Sequence, residues 1–198
     1  MNNILSVGDK FDDLILHTPK AIQGGNAYIA QLSINNSAVI FQTPKCISKK
    51  GVHKTNKQIY TDMLFTDHDY NFLEWIQTLE ERVRELIYEK RGTWWSQEDD
   101  DDELTKEDIQ YNWIDTIKNY KKKYLIRTFF PKNLRNYNRA VSVYDDKENE
   151  LSVDSIVKDS NIISILELNG LKFSATYFTL EFNVRQVMVL SEEELFNK

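Results

Sequence analysis

The stretch Leu171–Leu190, LKFSATYFTLEFNVRQVMVL, indicates the kind of fold that this chain adopts. In its second half, large apolar residues occupy every second position and polar or charged residues stand between them. The apolar positions are Phe178, Leu180, Phe182 and Val184. A period of two is typical of a β-strand with one buried face and one solvated face. The apolar residues change phase at Val187, which predicts a bulge near Gln186.

Further strand patterns lie upstream of this stretch. Asn161–Leu168 precedes it, and Asn169-Gly170 between the two is a strong hairpin signal. Ile34-Asn35-Asn36 has the composition of a second hairpin turn, whereas the polar, lysine-rich Lys45–Lys57 is expected to be a loop. The other predicted strands are Asp13–Thr18, Asn26–Ser33, Ser37–Thr43, Gln58–Phe65, Lys123–Phe130 and Ala140–Tyr144.

A helical pattern separates the two groups of strands. From Asp67 or Asp69 to about Lys90, apolar residues recur at steps of three and four, and Gly92 is expected to end the helix. The apolar stripe consists of Phe72, Ile76, Leu79, Val83 and Leu86. Thr105 and Asp108 resemble a capping box. They predict a second, shorter helix, which would carry Ile109, Trp113 and Ile117.

This order of elements predicts a mainly β fold with a helical insertion at about residues 69–118. We expect one domain over residues 1–198, an OB-fold-like five-stranded barrel with extra strands. The insertion would include an acidic loop at residues 98–103, and residues 191–198 would form a short acidic tail. A β-sandwich or jelly roll with a helical insertion is the competing architecture, because the patterns do not separate these folds.

Several classes of function find no support in the residues. No apolar run approaches a membrane span, no secretory leader is evident, and the three histidines share no metal-ligand spacing. Cys46 is the single cysteine, which excludes an intramolecular disulfide and predicts a passive thiol. The consecutive acids Asp99–Asp102 lack the alternating spacing of a calcium loop. We therefore expect an intracellular protein that is not an enzyme, uses no metal or cofactor and does not bind membranes.

Charge is segregated along the chain, although the net charge is −6. Leu14–Thr61 contains six lysines and no acid, and Ile109–Tyr144 contains eight basic residues and one acid. Asp62–Asp108, between them, contains 16 acids and five basic residues. Because local fields decide what a surface binds, these two basic blocks, one without acids and one with a single acid, favour a polyanionic partner despite the net charge.

Aromatic residues alternate with cations in the second block. Single-stranded nucleic acid is bound by this combination, because cations compensate phosphates and rings stack on bases. The first block contributes the basic segment Gln42–Lys57, which can clamp a backbone but does not match a nucleotide-binding GxxxxGK[ST] loop. The predicted phosphate contacts are Lys45, Lys49, Lys50, Lys54, Lys57, Lys121, Lys122, Lys123, Arg127, Lys132, Arg135 and Arg139. The predicted stacking residues are Tyr120, Tyr124 and Tyr137.

Four stretches resemble a known family. They are AVIFQTPKC (Ala38–Cys46), FLEWIQTLEERVRELIYEK (Phe72–Lys90), Trp94-Trp95, and ILELNGLKFSATYFTLEFNVRQVMVL (Ile165–Leu190). Together they are similar to the phage-type, OB-fold single-stranded DNA-binding proteins of nucleocytoplasmic large DNA viruses. The resemblance covers most of the chain, and its motifs are structural rather than catalytic.

The resemblance implies a protein that coats single-stranded DNA in viral replication, recombination or repair, as a homodimer. Its location would be the host cytoplasm or nucleus. The same chemistry would accept single-stranded RNA. Phage-type members carry a long acidic tail that ends in an aromatic residue and contacts replication proteins. Here the tail is short and Asn197-Lys198 follow Phe196, which weakens that expectation. The alternative is a structural β-domain of the virion, in the capsid or core.

Overall fold

The computed structural model describes residues 4–94, 104–131 and 141–191. The acidic loop at 98–103 and the tail from 192 onward lie outside the described residues. The helices are α1 (Tyr70–Trp94) and α2 (Lys106–Tyr111), with single 3₁₀ turns at Asp67–Asp69 and Val153–Ser155. The strands are β1 (Ile4–Leu5), β2 (Leu14–Leu16), β3 (Lys20–Ala21), β4 (Tyr28–Ala30), β5 (Leu32–Ile34), β6 (Ser37–Ala38), β7 (Ile40–Gln42), β8 (Cys46–Lys54), β9 (Ile59–Phe65), β10 (Ile117–Tyr120), β11 (Lys123–Phe130), β12 (Ser142–Asp145), β13 (Glu150–Leu151), β14 (Asn161–Ser174) and β15 (Tyr177–Leu190).

The chain divides into two compact units. The first consists of residues 1–40, 70–117 and 168–181, and the second of residues 41–69, 118–167 and 182–198. Strands β14 and β15 are long enough to contribute residues to both units.

The first unit contains both α-helices and a small three-stranded sheet, ordered β2-β5-β6. All five residues of the predicted stripe on α1 are buried, and Trp75 of the same helix donates from Nε1 to the backbone oxygen of Asp9 at 2.8 Å. The β5–β6 turn is Asn35-Asn36, and both residues have positive φ. That backbone twist suits a two-residue hairpin, so the predicted turn is confirmed.

The second unit contains a closed ring of five strands. β8, β9 and β11 form an antiparallel meander, and β11 then pairs in parallel with β15. β15 pairs with β14, which pairs with β8 and closes the ring. Residues such as Met63, Ile126 and Phe182 point inward and are almost completely buried. The predicted mainly β, OB-fold-like five-stranded barrel with a helical insertion is therefore confirmed.

The prediction of a loop over Lys45–Lys57 is wrong, because residues 46–54 form strand β8. The register of β8 against β9 shifts between Ser48 and Val52, and Gly51 has φ +76°. A Cβ atom at Gly51 would lie 2.7 Å from the backbone oxygen of Ile156. This glycine-centred bulge breaks the alternation in a lysine-rich strand, so the sequence resembles a loop.

The predicted hairpin turn at Asn169-Gly170 is also wrong. β14 continues to Ser174, and the turn to β15 lies at Ala175-Thr176. Gly170 has φ +154°, and a Cβ atom there would lie 2.6 Å from the backbone oxygen of Ala30. The glycine allows β4 to approach β14 closely. Close approach of another backbone is, like a bulge, a common reason for glycine inside a strand. The predicted phase change in β15 is confirmed. The next buried residue after Val184 is Val187, three positions later instead of two.

Two helix ends differ from the predictions. Helix α1 passes through Gly92 to Trp94, because Gly92 does not adopt the positive φ of a terminating glycine. The capping box of α2 is confirmed, with reciprocal bonds between Thr105 and Asp108. However, α2 ends at Tyr111, so Trp113 and Ile117 lie beyond it. Trp113 instead forms an isolated bridge with Phe178.

Candidate nucleic-acid interface

Every described residue of the predicted site lies in the second unit, on β8, β10, β11 or the adjoining turns. Strand β9 lies between β8 and β11, so it joins the two basic blocks within one meander. Lys132, Arg135, Tyr137 and Arg139 lie outside the described residues. The geometry below therefore concerns eleven of the fifteen predicted residues.

The meander has an inner face and an outer face. Thr61, Met63 and Thr128 are completely buried and define the inner face. Tyr60 and Phe129 are the sequence neighbours of Thr61 and Thr128. Because successive side chains of a strand point to opposite faces, both lie on the outer face, where they are partly exposed.

Three rings form a row across the outer face. The cross-strand register places His53 opposite Tyr60 and Tyr60 opposite Phe129. The His53 and Tyr60 rings are stacked, with centroids 5.1 Å apart and planes inclined by 13°. We call His53, Tyr60 and Phe129 the aromatic row. The row is partly exposed, so it offers apolar ring surface next to charged groups.

Arg127 and Asp62 form an ion pair beside the aromatic row. Arg127 donates from Nε to Asp62 Oδ1 at 2.7 Å and from Nη2 to Asp62 Oδ2 at 3.0 Å. The guanidinium carbon also lies 4.1 Å from the centre of the Tyr60 ring. The hydrogen bonds to Asp62 raise the pKa of Arg127 above its ordinary value. The arginine is thus charged, but a carboxylate compensates it.

A second contact joins the blocks at the β10–β11 turn. Lys49 Nζ lies 3.7 Å from the centre of the Tyr120 ring, and Lys121 Nζ lies 5.8 Å from the same centre. Lys49 belongs to the β8 bulge and Tyr120 ends β10. Tyr120 therefore lies close to two cations from different strands and turns.

The lysines differ in their ion pairing. Lys54 bonds Asp154 at 2.6 Å across a solvent-exposed gap. Among the described residues, no ion pair involves the other seven lysines of the predicted site, which lie within β8, at the start of β11 or in the adjoining turns. These are Lys45, Lys49, Lys50, Lys57, Lys121, Lys122 and Lys123. Their charge is available to an anionic partner.

Tyr124 is less suited to stacking than the prediction assumed. It lies on the opposite phase of β11 from Arg127, and its hydroxyl donates to Asp67 Oδ1 at 3.0 Å. That hydrogen bond raises the pKa of the Tyr124 phenol. The ring is partly exposed, so it remains a candidate contact at the end of the strand.

The sequence analysis missed His53 and Tyr60. The alternation of Gln58–Phe65 assigns Tyr60 to a strand, but its flanking residues are not basic. Its relation to Arg127 depends on the pairing of β9 with β11, which no local pattern contains. His53 was obscured by its assignment to a loop.

The described residues offer little that could perform catalysis. His17 Nε2 lies 2.7 Å from Ser33 Oγ in the first unit, and no described carboxylate bonds that imidazole. Cys46 is buried, and burial, with a smaller effect of the Asp69 charge, raises the pKa of its thiol to about 12. The described part of the chain contains no group of three or more metal-ligating side chains. Nor does it contain a helix of the length and apolarity that spanning a bilayer requires.

The fold is similar to that of a phage protein of known structure. Gp2.5, a single-stranded DNA-binding protein encoded by bacteriophage T7, superposes with a TM-score of 0.55 and 11% sequence identity. The match covers 78% of this chain and 87% of that one. A C-terminally truncated form of the single-stranded DNA-binding protein of bacteriophage Enc34 matches with a TM-score of 0.45 and 10% identity, over 92% of this chain and 97% of that one. No protein-family model and no curated protein sequence matches this chain.

Proposed function

We propose that this protein binds single-stranded DNA, without catalysis, through the outer face of β8, β9 and β11. The observation that carries the proposal is the aromatic row, which lies in the same meander as lysines that have no described ion-pair partner. Rings supply stacking surfaces and lysines compensate phosphates, so the combination suits a flexible polyanion with accessible bases. The fold shared with the phage T7 protein, which binds single-stranded DNA, supports the same conclusion.

The contacts that we propose combine predicted residues with residues found in the structure. Lys45, Lys49, Lys50, Lys57, Lys121, Lys122 and Lys123 would compensate phosphates. Tyr60, His53, Phe129 and Tyr120 would contact bases, with Tyr124 at the end of β11. Lys54 would take part only if it exchanged Asp154 for a phosphate.

The biological role follows from the resemblance noted in the sequence. We propose that the protein coats single-stranded DNA during replication, recombination or repair of a large DNA virus, as a homodimer. Sedimentation equilibrium of the purified protein tests the dimer directly. A monomer at micromolar concentration would contradict that part of the proposal and leave DNA binding unaffected.

DNA binding is tested by fluorescence polarisation of labelled oligo-dT at two salt concentrations. We expect affinity that weakens steeply with salt. Binding releases the counterions that surround the phosphates, and this release becomes less favourable as the salt concentration rises. Tyr60→Ala should weaken binding by about 1–3 kcal/mol, the usual value of one ring–base contact.

Tyr111→Ala is the matched control. Tyr111 is 90% exposed and belongs to the first unit, so its removal should leave affinity unchanged. Binding that is absent or independent of salt would contradict the proposal and favour a structural role in the virion.

A further inference from the structure

Arg127 is a cation on the outer face, yet its surroundings are unlike those of a phosphate ligand. Asp62 lies directly opposite Arg127 in the register, and both carboxylate oxygens accept hydrogen bonds from the guanidinium. Asp62 is only 6% exposed. If Arg127 moved to a phosphate, it would leave a buried carboxylate without its partner, which is strongly unfavourable.

The guanidinium also fixes the central ring of the aromatic row. Its carbon lies 4.1 Å from the Tyr60 ring centre, and it approaches from β11. His53 stacks on Tyr60 from β8, on the other side of β9. Tyr60 is therefore held between neighbours from both adjacent strands, and one of them is locked by a two-point ion pair.

We infer that Arg127 is a positioning residue, which holds Tyr60 in place for a base and makes no phosphate contact. The inference rests on the proposed DNA binding and assigns a different role to Arg127 from the one its charge suggests. Asp62 has two effects in this arrangement. It orients the guanidinium over the ring, and it cancels the positive charge that would otherwise attract phosphate.

Salt dependence separates the two roles. A cation that contacts a phosphate steepens the slope of log K against log salt by about 0.7 on single strands. The double variant D62N/R127Q removes both charges and leaves no buried ion, so it is the variant of choice. We expect its affinity for oligo-dT to fall by at least about fivefold, the lower end of one ring–base contact, with the slope unchanged.

Two further variants sharpen the test. R127K keeps the charge but loses the planar fork, so it should also lower affinity at constant slope. D62N alone frees the guanidinium, so its slope should become steeper by about 0.7. In a Y60A background, D62N/R127Q should cause little further loss, because the pair acts through that ring.

The contrary results are distinct. A slope that becomes shallower by about 0.7 in D62N/R127Q would identify Arg127 as a phosphate contact and overturn the inference. Full additivity with Y60A, or unchanged affinity, would also overturn it. If the wild-type protein fails to bind oligo-dT, the proposed function itself is wrong. Thermal melts of each variant identify any loss that comes from unfolding.

Discussion

At the scale of single residues, Glu80 is a buried carboxylate on α1. It is 3% exposed, and it accepts hydrogen bonds from Trp113 Nε1 at 3.1 Å and from the Thr116 backbone N–H at 2.8 Å. Burial raises its pKa above the ordinary value of 4.5, and these hydrogen bonds offset part of the rise. The hydrogen bonds of Glu80 thus join α1 to the segment after α2, although burial of the charged carboxylate is unfavourable.

Removing this acceptor should destabilise the first unit. Glu80→Ala leaves two buried donors without a partner, so we expect the free energy of unfolding to fall by about 1–3 kcal/mol. Glu81→Ala, at the exposed neighbouring position, is the control and should cause a much smaller loss. Urea denaturation followed by circular dichroism measures both. Equal losses would show that the Glu80 bonds contribute little.

The raised pKa of Glu80 also predicts a pH dependence of defined sign. The folded protein holds this proton more firmly than the unfolded chain, so ionised Glu80 lowers stability at neutral pH. That cost disappears as the pH falls through the folded pKa towards 4.5. The wild type should therefore gain stability relative to Glu80→Gln between pH 7 and pH 4.5. A constant difference between the two proteins over that range would contradict the assignment.

At the scale of secondary structure, alanine substitutions of Gly51 and Gly92 should change the stability of the protein in opposite directions. Gly51→Ala forces a side chain into positive φ and towards the Ile156 oxygen, so it should destabilise the protein by more than about 1 kcal/mol. Gly92→Ala places a Cβ in open space within α1 and should stabilise the protein by roughly 0.5–1 kcal/mol. Thermal denaturation of the pair tests the bulge, and a neutral Gly51→Ala would contradict it.

The elements predicted correctly are those whose signals are local. The alternation in β11 predicted Lys123–Phe130 with the bounds of the structure, and the α2 capping box was visible as Thr105 and Asp108. The two wrong strand predictions involve glycines that allow another backbone segment to approach closely. Gly51 makes room for Ile156, and Gly170 for Ala30. Such contacts depend on distant residues, so no local pattern reveals them.

The same distinction applies to the candidate interface. Clusters of lysine and tyrosine were visible because they are contiguous in sequence, as at Tyr120 and Lys121. The aromatic row was not, because it is assembled from three strands through cross-strand register. Likewise, the compensation of Arg127 required knowing that Asp62 lies opposite it. Sequence alone therefore proposed individual residues, whereas their cross-strand neighbours are known only from the structure.

At the scale of the whole molecule, net charge is a poor guide to binding, and the location of the charge matters more. Lys121 and Lys122 lie in the second unit. Changing either of them to alanine should make the slope of log K against log salt shallower by about 0.7. Lys10→Ala and Lys106→Ala remove the same charge from the first unit and should leave the slope unchanged. Oligo-dT titrations across a salt series measure all four. Equal effects would show that binding responds to total charge rather than to this surface.

The closed ring has a consequence for synthesis on the ribosome. Ile47 of β8 pairs with Asn161 of β14, so an early strand awaits a partner encoded far downstream. At about 5–20 residues per second, the delay is on the order of ten seconds. During that interval the nascent meander has an unpaired backbone edge, which is the kind of surface that recruits a chaperone or a second nascent chain.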